Sequence, residues 1–304
     1  MTIHPVESSV SHAVRGVQSL EFKRFRPRVG ALVSGIDLRA GASLDQARRS
    51  ELNRALLQFG VLFFRDQALE PEQFLEVARI FGRPYKQNEY NHSHDRVPEI
   101  EVLENSVQRR QTADIWHADV TWQNNPPKAT ALYAQVLPAE GGDTVWSSTA
   151  AAYEQLDPKL AAYLETLTAV NTLEVTRLPE YLLGDHGGRY PKEGGPQRLA
   201  AARAAHPAVE VPVIALHPET GRKVINVNEG HTSHIKDVSK VASNSLLTLL
   251  FDAVKSPDLQ ARFHWKPGSL AVWDNRQVQH YGVNDYGDEL RRLYRLTIRG
   301  AELS

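Results

Sequence analysis

The sequence predicts a mainly β protein with flanking helices, built on a double-stranded β-helix (jelly roll) core. Three observations predict it. Short apolar or alternating runs of strand length recur along the chain, separated by Gly, Pro and Asp turns. Only a few stretches carry helical spacing. A His-x-Asp pair at 117–119 and a distant His280 look like metal ligands, which only packed, sequence-distant strands could unite.

Residues 1–20 are polar and unpatterned and read as an N-terminal arm. Residues 21–304 read as one domain, without internal repeat, low-complexity segment or linker. Phe22 to Leu38 alternates loosely and closes on Gly35-Ile36-Asp37-Leu38, a strand and turn. Ser43-Leu44-Asp45-Gln46 resembles a capping box opening a helix that Gly60 ends. Val61-Leu62-Phe63-Phe64 is a buried strand. Pro71 starts a second helix, with Phe74, Val77, Ala78 and Phe81 on one face and Gly82 as its stop.

Arg83 to Pro98 reads as a polar loop, and its His92-Ser93-His94-Asp95 as a solvent- or substrate-facing stretch rather than a metal site. Glu99 to Leu103 and Ala129 to Val136 read as strands. Gly141-Gly142-Asp143-Thr144 turns into Val145-Trp146, and a helix over 149–167 is interrupted near Asp157-Pro158. Residues 177–206 form a long Gly-rich, charged loop, a candidate lid carrying Tyr181, His186 and Tyr190. Glu210 to Ala215 and Lys223 to Val227 read as strands of a hairpin closed by Pro218-Glu219-Thr220-Gly221. A helix spans 239–254, and the last strands carry Phe263-Trp265, Leu270-Trp273, His280 and Leu293-Ile298.

The chemistry gathers in Trp116-His117-Ala118-Asp119-Val120-Thr121-Trp122. On an extended backbone His117 and Asp119 point to the same face. With His280 they would form the two-His, one-carboxylate set of non-haem Fe(II) oxygenases, which leaves coordination positions open. A lone His-x-Asp pair arises by chance in a chain with twelve His, as a surface or hydrogen-bonded pair. Arg291-Arg292-Leu293-Tyr294-Arg295 follows the distal His. An Arg there suits a dicarboxylic co-substrate, because its planar fork binds a carboxylate bidentately.

Four blocks carry a resemblance: WHADVTW at 116–122, GGDTVWSSTAAAYEQL at 141–156, VNEG at 227–230 and WDNRQVQHY at 273–281, followed by Arg295. The chain resembles the taurine dioxygenase group of Fe(II)/2-oxoglutarate-dependent dioxygenases, from about Phe22 to Gly300. The resemblance implies the jelly roll, with Fe(II), 2-oxoglutarate and O2 as cofactors. It implies His117, Asp119 and His280 as metal ligands. It gives Arg295 the distal carboxylate of 2-oxoglutarate, with Thr144 beside it and Arg291 as a second Arg nearby. Trp273 is either a neighbour of the iron or a core residue, and Arg292 a surface or salt-bridge residue.

Relatives cleave sulfonates or sulfate esters by hydroxylating the carbon beside the sulfur group or ester oxygen, with release of sulfite or sulfate. Where taurine enzymes carry a His after the second helix and an Asn before the Trp-His pair, this chain has Gln87 and Ala113. Tyr90 is retained, and His231 follows VNEG where the taurine enzyme is aromatic. Gln87, Tyr90 and His231 are thus candidate substrate contacts, with His234 behind them, and each is equally readable as a hydrogen-bonded structural residue. The implied substrate is a small anionic organosulfur compound, an alkyl sulfate ester or a sulfonate. A non-sulfur carboxylic acid is the alternative within the same enzyme class, and a non-catalytic metal-binding jelly roll the alternative outside it. The resemblance also implies a homo-oligomer, a dimer or tetramer.

Composition sets outer bounds. The 304 residues are 41% hydrophobic and 23% charged with net charge −1, which argues against nucleic acid or a membrane surface as partner. No apolar run approaches the roughly 20 residues of a membrane span, and Met1 to Gln18 lacks a signal-peptide core, so a cytoplasmic location is expected. There is no Cys, and Met1 is the only Met. Drift, protection against an oxidising centre and sulfur economy under starvation all fit. The last predicts expression that follows sulfate supply.

Overall fold

The computed structural model describes residues 19–86, 92–105, 113–176, 178–184 and 192–300. The chain runs β1 (Glu21–Arg24), β2 (Ala31–Ser34), α1 (Gln46–Phe59), β3 (Val61–Phe64), α2 (Pro71–Phe81), β4 (Arg83–Tyr85), β5 (Glu101–Asn105), β6 (Ala129–Val136) and β7 (Thr144–Ser148). Helices α3 (Thr149–Glu154) and α4 (Pro158–Leu164), strand β8 (Thr168–Asn171), and helices α5 (Leu178–Leu183) and α6 (Gly195–Ala205) follow. The chain ends with β9 (Val209–Pro212), β10 (Ile214–Leu216), β11 (Lys223–Ile225), β12 (Thr232–Ile235), α7 (Lys240–Val254), β13 (Gln260–Phe263), β14 (Leu270–Asp274), β15 (Val278–Gly282) and β16 (Arg291–Arg299).

Among the described residues the largest sheet has the order β1-β2-β3-β14-β6-β16-β4, with β5 also pairing β16. Its two faces follow the period-two rule of strands. Leu62 and Phe64 of β3, Leu270 and Val272 of β14, and Ala131 and Tyr133 of β6 pack against the helix layer of Leu52, Leu56, Phe74 and Val77. Val61, Phe63, Ala271, Trp273 and Leu132 point the other way, onto Trp146, Phe263 and Val278. Those last three belong to a second, antiparallel sheet of order β13-β7-β15. Because both faces are covered, β3 is wholly buried, as its unbroken apolar run requires. The protein is therefore mainly β with helices packed outside one sheet.

On β16, Leu296 and Ile298 join the helix-side core while Leu293 joins the inter-sheet core. Arg291 and Arg295, two steps either side of Leu293, share its face and are carried between the sheets. Arg292 points away and pairs with Glu104 at 2.7 Å, the salt-bridge role expected.

Several expectations need correction. Helix α1 is capped by Asp45, whose side chain accepts from Arg48 N, while Ser43 ends a preceding 3-10 turn. The 177–206 stretch contains α5 and α6, a pair missed because α6 buries only Gly195, Leu199 and Ala202 and so shows little apolar period. The strand expected over Glu210 to Ala215 breaks at Val213: β9 pairs β8, whereas β10 pairs β11. Arg83–Tyr85, read as loop, is an edge strand on β16. The arm through residue 18, and His186 and Tyr190 of the candidate lid, lie outside the described residues.

Candidate metal centre

His117 and His280 meet across a single antiparallel bridge. Each backbone N–H donates to the other's carbonyl, at 3.1 and 2.8 Å. A directly paired position puts both imidazoles on one face, and their ring centroids lie 4.2 Å apart. Asp119 is not on a continuing strand. The chain turns there, and Val120 takes φ 54°, a left-handed conformation that a β-branched residue adopts only under strain. The turn still brings Asp119 Oδ1 to 3.9 Å from His117 Nε2 and 4.0 Å from His280 Nε2. The three ligand atoms all lie within 4.8 Å of one another, and no other group of three or more His, Cys, Asp or Glu side chains among the described residues could hold a metal ion. His92 and His94 are not in such a group.

The protonation states suit a cation. His117 Nδ1 lies 2.8 Å from Ile115 O. A carbonyl only accepts, so Nδ1 carries the proton and Nε2 keeps its lone pair for the site. Burial, then the neighbouring His117, pushes His280 down to about 3, so its ring is neutral. Burial pushes Asp119 up, but His280, Arg295, His117 and the Thr130 hydroxyl outweigh it and hold the carboxyl at about 2. Two imidazoles, that of His280 neutral, and one ionised carboxylate fit a divalent transition metal such as Fe(II).

The triad opens on a cavity of about 300 Å³ that Thr144, Arg291 and Arg295 also line. Much of the wall is apolar, from Leu103, Ile115, Val120, Trp122, Val175 and Leu178. Thr144 Oγ1 accepts from Trp265 Nε1 at 3.0 Å, which leaves its own O–H free to donate. Arg291 is buried, and among the described residues no carboxylate lies within 4 Å of it; its Nε donates to Gly142 O at 3.1 Å. Gly142 has φ 68°, and a Cβ there would stand 3.0 Å from Arg291 Nε. Arg295 is committed differently. It pairs with buried Glu101, its Nη1 lies 3.5 Å from Asp119 Oδ1, and these two acids hold it charged against its burial.

The chain matches the family "Taurine catabolism dioxygenase TauD, TfdA family" over residues 21–297. The protein belongs to this family. An alkylsulfatase of Acinetobacter baylyi is 35% identical over 297 residues, covering 93% of this chain and 86% of that protein. An alpha-ketoglutarate-dependent sulfate ester dioxygenase of Pseudomonas putida is 33% identical over 283 residues, covering 90% and 87%. The crystal structure of a taurine dioxygenase from Burkholderia xenovorans superposes with a TM-score of 0.76 at 32% identity, covering 93% of this chain and 90% of the other.

Of the family-derived substrate candidates, Gln87 and Tyr90 lie outside the described residues. His231 does line the cavity. Its Nδ1 is 2.9 Å from Thr121 Oγ1, whose hydroxyl accepts from Asn228 Nδ2 and so donates to the ring. The ring also hydrogen-bonds the Ala118 backbone; burial and the nearby His117 and His280 hold it neutral, at about 3. His231 thus enters the site as a neutral, already bonded group. His234 is exposed on β12, bonded to Ser233, and does not line the cavity. Ala113 and Tyr181 do line it. Trp273 is fully buried, a core residue, and also borders the cavity, 4.8 Å from the His280 ring.

Sequence reasoning missed Glu101, Thr130 and Asn275. Each left a trace: a charge or hydroxyl inside a strand otherwise fit for burial, or an amide within WDNRQVQHY. Gly230 of VNEG also gains a reason. A Cβ there would meet His117 Cβ at 2.8 Å, so only Gly lets this loop close on the ligand.

Proposed function

We propose that this protein is a dioxygenase of small anionic organosulfur compounds. It hydroxylates the carbon next to a sulfate-ester or sulfonate group, with 2-oxoglutarate and O2 as co-substrates and succinate, CO2 and sulfate or sulfite as products. The observation that carries the reading is one cavity holding both the His117–Asp119–His280 cluster and two arginines, Arg291 buried and Arg295 partly buried. A pure metal-binding module has no use for a cationic pocket beside its ligands.

His117, Asp119 and His280 would hold Fe(II), which with 2-oxoglutarate and O2 supplies the oxidising chemistry. The distal carboxylate of 2-oxoglutarate goes to Arg291 and Thr144, an exchange of roles with Arg295. Among the described residues Arg291 has guanidinium N–H groups and no carboxylate within 4 Å, and Thr144 has a hydroxyl proton with no acceptor. Arg295, beside Asp119, presents positive charge at the metal end, where the anionic groups of both reactants must converge. The apolar wall of Val120, Trp122, Val175 and Leu178 takes the carbon chain and excludes water. The sheet of β7, β13 and β15 facing the large sheet, with the ligands between, supports the jelly-roll core within one domain over 21–304. Sulfate-ester substrates rest on the two relatives so named, and sulfonate substrates on the taurine-dioxygenase family.

The test is oxygen uptake with Fe(II) and 2-oxoglutarate against taurine, longer alkanesulfonates, alkyl sulfates and phenoxyalkanoic acids, with sulfite and sulfate assayed in parallel. Release of either anion supports the proposal and names the substrate class. Substrate-coupled succinate formation without either anion would move the substrate to a non-sulfur acid. No metal-dependent succinate with any of them would overturn the enzymatic reading.

A further inference from the structure

We propose that Thr130, aimed by Asn275, is a positioning residue that reserves one carboxylate oxygen of Asp119 for the metal and withholds the other. The inference rests on the metal reading above and goes beyond the ligand set.

Three buried side chains lie in series behind Asp119. Trp273 Nε1 is 2.8 Å from Asn275 Oδ1, Asn275 Nδ2 is 2.8 Å from Thr130 Oγ1, and Thr130 Oγ1 is 2.7 Å from Asp119 Oδ2. Their chemistry fixes the direction of every proton. The indole N–H can only donate, so the Asn275 atom facing it is the amide oxygen. The same oxygen accepts from Asp119 N at 3.4 Å, which agrees. The other amide atom is then the NH2, and it must donate to Thr130 Oγ1. The Thr130 proton is left one acceptor, the ionised Oδ2 of Asp119. No member can reverse without leaving a buried donor facing a donor.

The consequence falls on Asp119. Its Oδ1 faces His117 Nε2 and His280 Nε2, at 3.9 and 4.0 Å. Its Oδ2 is turned to Thr130. A carboxylate with both oxygens free can take two positions on a metal. Here the second oxygen is held, so the ligand set fills three positions and leaves the rest for the reactants. Asn275 also reaches the other side of the site, because Trp273, which it holds, packs against His280. One amide therefore sets the carboxylate and steadies the indole beneath an imidazole ligand.

The test uses the full-length protein, freed of metal and titrated anaerobically with Mn(II), then with 2-oxoglutarate at saturating Mn(II). Thr130→Val should weaken Mn(II) binding by about 10- to 100-fold, the usual effect of losing a group that orients a ligand. It should also weaken 2-oxoglutarate binding to the loaded protein, because the released oxygen competes for an open position. Thr130→Ser keeps the hydroxyl and should restore both. Asn275→Leu should weaken Mn(II) binding, and the double variant should lose less than the sum of the two single losses, because Asn275 reaches Asp119 through the Thr130 hydroxyl and only its hold on Trp273 is separate. Unchanged affinities in Thr130→Val, a Ser variant as weak as Val, or additive losses in the double variant would overturn the proposal. Should Thr130→Val fail to fold, a wild-type affinity in Asn275→Leu overturns it equally. A wild-type protein that binds no Mn(II) would instead sink the metal reading itself.

Discussion

Replacing Arg291 by Gln separates the two arginines of the cavity. Arg291 is 5% exposed, and among the described residues its guanidinium has one neutral acceptor, Gly142 O. A cation buried without a counter-ion is costly, and burial is what lowers its pKa. A 2-oxoglutarate carboxylate would relieve that cost. Hydrogen bonds to a charged group contribute about 1.5–3 kcal/mol each, and losing one side of a buried charged pair costs about 2–5 kcal/mol. We take about 2–4 kcal/mol for the loss in Arg291→Gln, which is roughly 30-fold to several-hundred-fold in 2-oxoglutarate affinity. The variant removes an uncompensated charge, so the ligand-free protein should melt no lower than wild type. Arg295→Gln should behave oppositely. It removes the guanidinium side of the ion pair with buried Glu101 and should lower the melting temperature of the ligand-free protein. The assay is calorimetric titration of 2-oxoglutarate into Mn(II)-loaded protein, with thermal melts of the ligand-free variants. An Arg291→Gln affinity equal to wild type, with Arg295→Gln losing affinity and keeping its melting temperature, would return the clamp to Arg295.

Three further predictions follow from the same geometry. His117→Ala and Asp119→Ala should each abolish Mn(II) binding and turnover; retained turnover would show the iron site to be misassigned. Gly230→Ala forces a Cβ against His117 Cβ at 2.8 Å, a contact between atoms that cannot swing away. It should cost about 1–3 kcal/mol of stability and weaken Mn(II) binding, and a melting temperature and affinity equal to wild type would refute the close approach. Burial raises the Asp274 carboxyl, but Arg276 and His217 outweigh it and bring it from 3.8 to about 2. A depressed carboxyl stabilises the fold fully above its unfolded pKa and loses that contribution as pH falls through the folded one, here on the order of 2 kcal/mol between about pH 5 and pH 2. Asp274→Asn should therefore melt lower near pH 7 and show a shallower acid slope than wild type, and parallel pH profiles would refute the assignment.

Legibility in the sequence followed how local each cause was. Helix α2 could be read whole, because Pro71, its apolar face and Gly82 all act within one segment. So could β3, whose four apolar residues need only two covering layers. The candidate ligand triad could be proposed because three residue types in order are rare, although the extended backbone assumed for His117 and Asp119 proved to be a bridge followed by a turn. What stayed hidden depended on partners far along the chain. Nothing near Glu101 announces Arg295, 194 residues away, and nothing near Thr130 announces Asn275, 145 residues away. The split at Val213 is hidden for the same reason, since only the positions of β8 and β11 decide which sheet each half joins.

The spacing of the two arginines carries the final step. Positions 291 and 295 are four residues apart on one strand, so they share a face and their backbones are separated by about 13 Å. One strand therefore serves both ends of the cavity. At one end Arg295 sits against Asp119 and its charge is shared with Glu101. At the other, Arg291 sits beside Gly142 and the start of β7, where Thr144 lies. A linear dicarboxylate anchored at the metal end must present its far carboxylate at a distance from the ligands. Arg295 is too near Asp119 to be that distant partner, whereas Arg291 is displaced from it along the strand. On the proposed reading, the register of β16 against β6 and β5 would set the length of the co-substrate as well as its charge. A one-residue slip would turn both guanidinium groups away from the cavity.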